Sequence, residues 1–328
     1  MPIDRAANEE DKERVLRDWM IYDVVEALYS PLTEKSFVPQ VNSRLQSVTE
    51  RIKKDSGAKG LERFIRVIDE HLQKRAEEFS SGEIRISLPH LRSGEFYGIS
   101  VKLDEELQTR TSFWNSRARE VLNDEGIDGL TSDPAGMLLA LGMGYWLDYG
   151  NLMGEIGIVG ERLAFNGKLD KDLYHLLGVT KNEWVIFTHI KHSHGNENKG
   201  LYEPIYQKML DDPSHLTFKA YLASYERILR FMELNPSLDK IVSPGSWLYD
   251  PQLPEIDNRF AWVKEIAGKT VPVGLAKDVA PKQLEFALAG SARRRKLREE
   301  GRYEPVVTAR VINREEIKEI LSRQGHSS

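Results

Sequence analysis

Cysteine is absent from the 328 residues. That excludes disulfides, zinc–cysteine sites, iron–sulfur clusters and a thiol nucleophile. No apolar run reaches the roughly 18 residues that a membrane span requires. The longest, Met137 to Leu147, is followed at once by Asp148 and reads as a buried core helix. A basic excess is also missing: 46 Lys and Arg stand against 51 Asp and Glu, a formal net charge of −5. That balance disfavours a nucleic-acid binder. The glycines Gly142, Gly144, Gly150, Gly154, Gly157 and Gly160 fit neither GxGxxG nor GxxxxGK[ST], so they read as turns and close packing rather than a phosphate loop. Ser246, in Pro-Gly-Ser-Trp, lacks the second glycine of a nucleophile elbow. The acidic amino-terminal stretch carries no hydrophobic segment of the secretory kind. The simplest expectation is a cytoplasmic protein of bacterial type that acts on a small molecule, with neither membrane nor nucleic acid as partner.

What is present is a change of period along the chain. Val15, Leu16, Trp19, Met20, Val24 and Leu28 fall three and four apart, as do Val41, Leu45, Val48 and Ile52, and then Leu61, Phe64, Ile65, Ile68 and Leu72. Each set is one face of a helix that needs a packing partner. Ile84, Ile86 and Leu88 alternate by two, as do Ile99, Val101 and Leu103, with Arg92-Ser-Gly-Glu95 between them, so a hairpin is expected. A helix follows from Asp104, and Asp133-Pro134 opens another. Beyond residue 150, strands and helices alternate. Ile156 to Phe165 reads as strand, turn, strand. A short helix ends near Gly178, and Trp184 to Ile190 is a central strand of β-formers. Phe218 to Phe231 is a helix, Lys240 opens a strand interrupted by Pro-Gly, and Val271 to Leu275 is a short strand. Lys282 to Glu300 reads as one long basic helix and Pro305 to Ile312 as a strand, after which Asn313 and Glu316 form a capping box. The fold class is therefore α/β of the α+β kind. A mostly helical region with a hairpin spans 1–150, and a mixed sheet flanked by helices spans 151–328.

Three groups carry chemistry. His189, His192 and His194 lie within six residues, with Glu197 just after. His192, His194 and Glu197 have the side-chain types of a non-haem metal site. Equally, His189 or His192 could serve as a general base near the strand end. Trp247, Tyr249 and Asp250 follow the Pro-Gly interruption, where a bulged strand can line a pocket and place a polar tip in it; an aromatic core pair with a turn is the plain alternative. Ser291 to Tyr303 holds five arginines and one lysine. Arg293, Arg294 and Arg302 are its candidates for holding phosphate or carboxylate, because the guanidinium fork matches those anions; a solvated helix face is the plain alternative.

The order of a Val185-Ile-Phe-Thr-His-Ile190 strand, a helix over 216–232 and a strand ending in Ser246-Trp-Leu-Tyr-Asp-Pro-Gln-Leu253 resembles uncharacterised bacterial acyltransferase-like proteins related to the GNAT fold. Those proteins carry a His-Ile strand, a helix and a Ser-Trp-Leu-x-Asp-Pro segment in that order, and the tail from Arg293 to Pro305 resembles them too. The resemblance is confined to the C-terminal half. The Gln/Arg-x-x-Gly-x-Gly/Ala pyrophosphate loop of ordinary GNAT enzymes is not found. The resemblance implies a GNAT-like mixed sheet and transfer of an acyl group from a thioester, on coenzyme A or a carrier protein, to an amine or hydroxyl. It implies His189 or His192 as base, Tyr249 as acid for the leaving thiolate, Trp247 and Asp250 at the pocket, and Arg293, Arg294 and Arg302 on the anionic groups. Two other readings stay open: a metal-dependent enzyme using His192, His194 and Glu197, and a non-catalytic binding or scaffold protein whose helical stripes meet a partner.

Overall fold

The computed structural model describes residues 62, 65–89, 96–129, 146–148, 152–159, 172–190, 216–289 and 291–325. The chain divides into two compact units, Met1–Leu147 and Asp148–Ser328.

In the first unit a helix over 65–81 (α1) buries Ile68, Leu72 and Phe79. It is followed by β1 (Glu83–Pro89) and β2 (Phe96–Lys102), which pair antiparallel from Glu83↔Lys102 to Pro89↔Phe96. Period-two alternation puts Ile84 and Ile86 on one face, and both are fully buried. Asp104 ends the hairpin and caps the next helix, its Oδ1 accepting from the Leu107 amide at 2.8 Å. That helix, α2 (Glu105–Gly129), buries Leu107, Ala118, Val121 and Leu122. Arg119 Nε donates to Asp69 Oδ1 at 3.0 Å, tying α2 to α1. The expectations for 1–61 and the Asp133-Pro134 helix lie outside the described residues. Of the apolar run read as a core helix, Trp146 and Leu147 instead enter a short strand, β3 (Trp146–Asp148).

In the second unit β4 (Leu152–Ile158) starts earlier than the spacing suggests. The turn and second strand expected after it lie outside the described residues. A short helix, α3 (Asp172–Leu177), ends at Gly178. Its φ of 74° is the left-handed backbone that glycine adopts most readily at a helix end. Next come β5 (Trp184–Ile190), α4 (Leu216–Leu234) and β6 (Lys240–Ser246), the last running into a 3-10 turn over Trp247–Tyr249. Single helical turns then lead to β7 (Lys269–Leu275), α5 (Pro281–Leu288), α6 (Ala292–Glu299), β8 (Val306–Asn313) and α7 (Arg314–Arg323).

The basic run is thus two helices rather than one. The first ends at Leu288, and Ser291 caps the second, its hydroxyl accepting from the Arg294 amide at 3.2 Å. The capping box at α7 forms as its sequence predicts. Asn313 Oδ1 accepts from the Glu316 amide at 2.9 Å, and Glu316 Oε2 accepts from the Asn313 amide at 2.7 Å. Asn313→Ala is expected to destabilise this unit by about 1 kcal/mol, read as a lower urea midpoint at unchanged slope.

The sheet order is β3-β4-β5-β6-β8-β7. β5 and β6 run parallel, while β4 with β5, β6 with β8 and β7 with β8 are antiparallel. A parallel pair requires a crossover, and α4 is part of it. One face of the sheet buries Val185, Phe187, Val242, Ala309 and Val311 against Leu173 and Leu177 of α3. Alternation turns Ile186, Thr188, Ile241, Ser243, Thr308, Arg310 and Ile312 to the other face. α7 packs against α4.

Candidate functional site

The ladder between β5 and β6 is short. It holds two residue pairs, Ile186↔Ile241 and Phe187↔Val242, although both strands continue to Ile190 and Ser246. Pro244 helps to explain the ending, since a proline has no N–H to give a ladder. The same stretch is irregular against β8, where the register shifts between Ser243 and Ser246. Gly245 is needed there: a Cβ would lie 2.9 Å from Val307 Cγ1, too close for any side chain without movement. The ladder between the two central strands therefore ends at Phe187 and Val242.

Thr188 and Ser243 are the first residues beyond the end of that ladder, and both are buried. Their hydroxyl oxygens lie 3.1 Å apart. Arg310 Nε donates to Ser243 Oγ at 3.3 Å, so a polar line crosses β5, β6 and β8 at this level. The Arg310 guanidinium is fully buried. Its Nη1 donates to the Ile266 carbonyl at 2.8 Å, and its carbon sits 4.3 Å from the Tyr249 ring centroid and 5.8 Å from that of Tyr225. Aromatic faces attract a cation, more so where water is excluded. The Tyr225 hydroxyl donates to the same Ile266 carbonyl at 3.3 Å. Burial pushes it up to about 12, against the opposing pull of Arg310, so it stays a neutral donor at pH 7. Burial also pushes the neighbouring Tyr221 hydroxyl well up.

Behind the 3-10 turn lies a second, differently built centre. Arg294 is fully buried between two rings, its guanidinium carbon 5.4 Å from the Trp247 centroid and 5.0 Å from that of Phe260. It donates to Asp257 Oδ2 at 2.9 Å and to the Ala289 carbonyl at 3.0 Å. Arg259 grips the same carboxylate with two donors, at 2.9 and 2.8 Å. Burial would raise the Asp257 carboxyl, but Arg259 and Arg294 outweigh it and hold the group below the usual carboxylate value. Asp250 is fully buried too. Its Oδ2 accepts from Tyr303 Oη at 3.1 Å and the Val306 amide at 3.0 Å, and its Oδ1 accepts from the Gln252 amide at 2.9 Å. Burial raises this carboxyl despite those donors.

The structure thus gathers Trp247, Tyr249, Asp250 and Arg294 around the end of β6. Arg293 and Arg302 do not join them: both are exposed, and Arg302 donates to Glu300 at 3.0 Å. The backbone of His189 lies on β5 one residue past Thr188, opposite Met153 of β4. His192, His194 and Glu197 lie outside the described residues; among the described residues no group of three metal-ligating side chains is found. No described helix is long and apolar enough to cross a membrane. Sequence reasoning missed Thr188, Ser243, Tyr221, Tyr225 and Arg310. Only Arg310 carried a usable signal, a lone cation inside the otherwise apolar run Val306 to Ile312.

No protein-family model and no curated protein matches the chain. Among solved structures it is similar to a mutant acyltransferase in complex with octanoyl-CoA, at 12% identity and a TM-score of 0.37, over 95% of this chain and 90% of that chain. It is similar in the same measure to an acyltransferase in complex with decanoyl-CoA and teicoplanin, at 13% identity and a TM-score of 0.37, over 95% and 90% of the two chains.

Proposed function

We propose that the protein is an acyltransferase of GNAT-like architecture. It moves an acyl group from a thioester, on coenzyme A or a carrier protein, to an amine or hydroxyl of a small molecule. The observation that carries this reading is the short ladder between β5 and β6, which ends after two residue pairs although both strands run on. The arm of such a thioester is extended and carries amide groups. Main-chain groups beyond the end of a ladder are suited to take it up as a sheet edge takes up an added strand. The order of a strand, the helix α4 and a strand ending in Ser246-Trp-Leu-Tyr-Asp-Pro, on which the sequence resemblance rests, coincides with β5, α4 and β6 with its 3-10 turn.

In this reading His189, on β5 beyond the end of its ladder with β6, takes the proton of the acceptor's amine or hydroxyl, with His192 as the other candidate. The acceptor's nitrogen or oxygen then bonds to the acyl carbon, the carbon–sulfur bond breaks, and Tyr249 returns a proton to the leaving thiolate. Trp247 and Asp250 shape the turn beside that site. Arg294 is committed to Asp257, so the exposed Arg293 and Arg302 are the better cations for the donor's phosphates.

The test is thiol release from acyl-CoA thioesters of graded chain length, with a small amine present. His189→Ala is expected to lower turnover by about 10²–10⁴-fold with the circular dichroism spectrum unchanged. Unchanged turnover removes His189 from the reaction. No calorimetric binding of any acyl-CoA or acyl-carrier thioester overturns the transferase reading itself.

A further inference from the structure

The two buried arginines of the second unit differ in one respect. Arg294 has a carboxylate, Asp257, at 2.9 Å. Arg310 is just as buried, yet among the described residues no carboxylate lies within ion-pair distance of it. Burying a charge without its counter-charge is costly, and arginine cannot escape by losing its proton. The π faces of Tyr249 and Tyr225 and the bonds to Ser243 and Ile266 offset part of that cost; they do not neutralise the charge.

Nor are the donors around it used up. Arg310 Nη2, the Tyr221 hydroxyl and Trp262 Nε1 are buried and have no hydrogen-bond partner, and Thr308 Oγ1, two residues from Arg310 on the same face of β8, has none either. These groups are close neighbours. The Tyr221 ring lies 5.3 Å from that of Trp262 and 6.1 Å from that of Tyr225, and Arg310 and Tyr249 both act on the Tyr221 hydroxyl. All four groups bear a hydrogen to give, one of them is charged, and an unused buried donor costs about 1–3 kcal/mol. The cluster has a surplus of donors and of positive charge. Among the described residues, what it lacks is a negatively charged acceptor.

We propose that Arg310, with Tyr221, Tyr225, Tyr249 and Trp262 around it, is a binding centre for one organic carboxylate. A single cation matches a single negative charge, whereas a phosphate dianion would call for more than one. The aromatic walls suit a ligand whose remainder is apolar. The free Nη2 and the Tyr221 hydroxyl supply donors of the kind a carboxylate oxygen accepts. On the acyl-transfer reading, this carboxylate belongs to the acceptor, which is then an amino or hydroxy acid; the binding itself does not rest on that reading.

The test uses the full chain and a series of aliphatic and arylalkyl carboxylates at constant ionic strength, against the matching alcohols, chloride and inorganic phosphate. Thermal shift and calorimetry are read together. Saturable binding of carboxylates over alcohols and inorganic anions is expected. Tyr221→Phe keeps every ring contact and removes one hydroxyl, so it is expected to fold much as the parent does and to weaken carboxylate binding about tenfold. Arg310→Met is expected to abolish binding without lowering the melting temperature, because it removes an uncompensated buried charge. The proposal is overturned if no carboxylate binds saturably, if alcohols, chloride or phosphate bind as well, or if both variants bind as the parent does. A protein that binds carboxylates but no thioester keeps this inference and loses the transferase reading.

Discussion

Asp257→Asn destabilises the C-terminal unit by about 3–5 kcal/mol, the loss seen when one partner of a buried ion pair is removed. The size follows from what is left behind. Arg294 stays fully buried between Trp247 and Phe260, its charge deprived of that carboxylate. Arg259→Ala is the control. That side chain is 35% exposed on the outer side of the same carboxylate, so its loss is expected to cost less than about 1 kcal/mol. The pH dependence has a definite sign. Asp257 is held below its ordinary value in the folded protein, so its contribution is complete above the unfolded value of about 4 and fades as pH falls through the folded one. The gap in urea midpoint between parent and Asp257→Asn should therefore be constant from neutral pH to about pH 5 and narrow only below about pH 4. A gap that instead narrows between pH 7 and 6 contradicts the assignment.

The elements that were legible in the sequence are those with a local cause. Period two marks β1 and β2, a run of β-formers marks β5, and the Asn313–Glu316 box marks the start of α7, because each depends on residues a few positions apart. The basic run reads as one helix in the sequence because arginine content says nothing of where a helix begins. Ser291 starts the second helix by using its hydroxyl to satisfy one of that helix's amides. The candidate site was legible only on the β6 side. Trp247, Tyr249 and Asp250 drew notice as an aromatic segment after Pro-Gly. Arg294 drew notice as one basic residue among several, whereas its burial and its bond to Asp257 depend on a residue 37 positions away. The Thr188–Ser243–Arg310 line joins three strands separated by 55 and 67 positions, and nothing local to any of them announces the other two. Which arginine of a run is buried, and whether it is paired, are properties of the packed sheet.

Asp250→Ala is the other substitution with a large expected effect, about 3 kcal/mol or more. The carboxylate is a knot rather than a surface charge. It joins the turn after β6, through the Gln252 amide, to the start of β8, through the Val306 amide and the Tyr303 hydroxyl. Alanine removes both acceptor oxygens and so all three hydrogen bonds, while Tyr303 and Leu253 stay buried beside the gap, and each buried donor left unsatisfied costs about 1–3 kcal/mol. Tyr303→Phe removes one donor and leaves two bonds, so about 1 kcal/mol is expected there. Asp250→Asn should fall close to alanine, because its amide nitrogen must face at least one donor. The carboxyl is raised by burial in the folded state, opposite to Asp257, so its ionisation opposes folding as pH rises through the folded value. Parent and Asp250→Ala should accordingly differ most in acid and somewhat less at neutral pH. If Asp250 instead contacted substrate and played no part in this knot, its alanine variant would keep the parent's urea midpoint and lose only binding. Equilibrium unfolding at pH 4 and pH 7, beside carboxylate and thioester binding, separates the two roles.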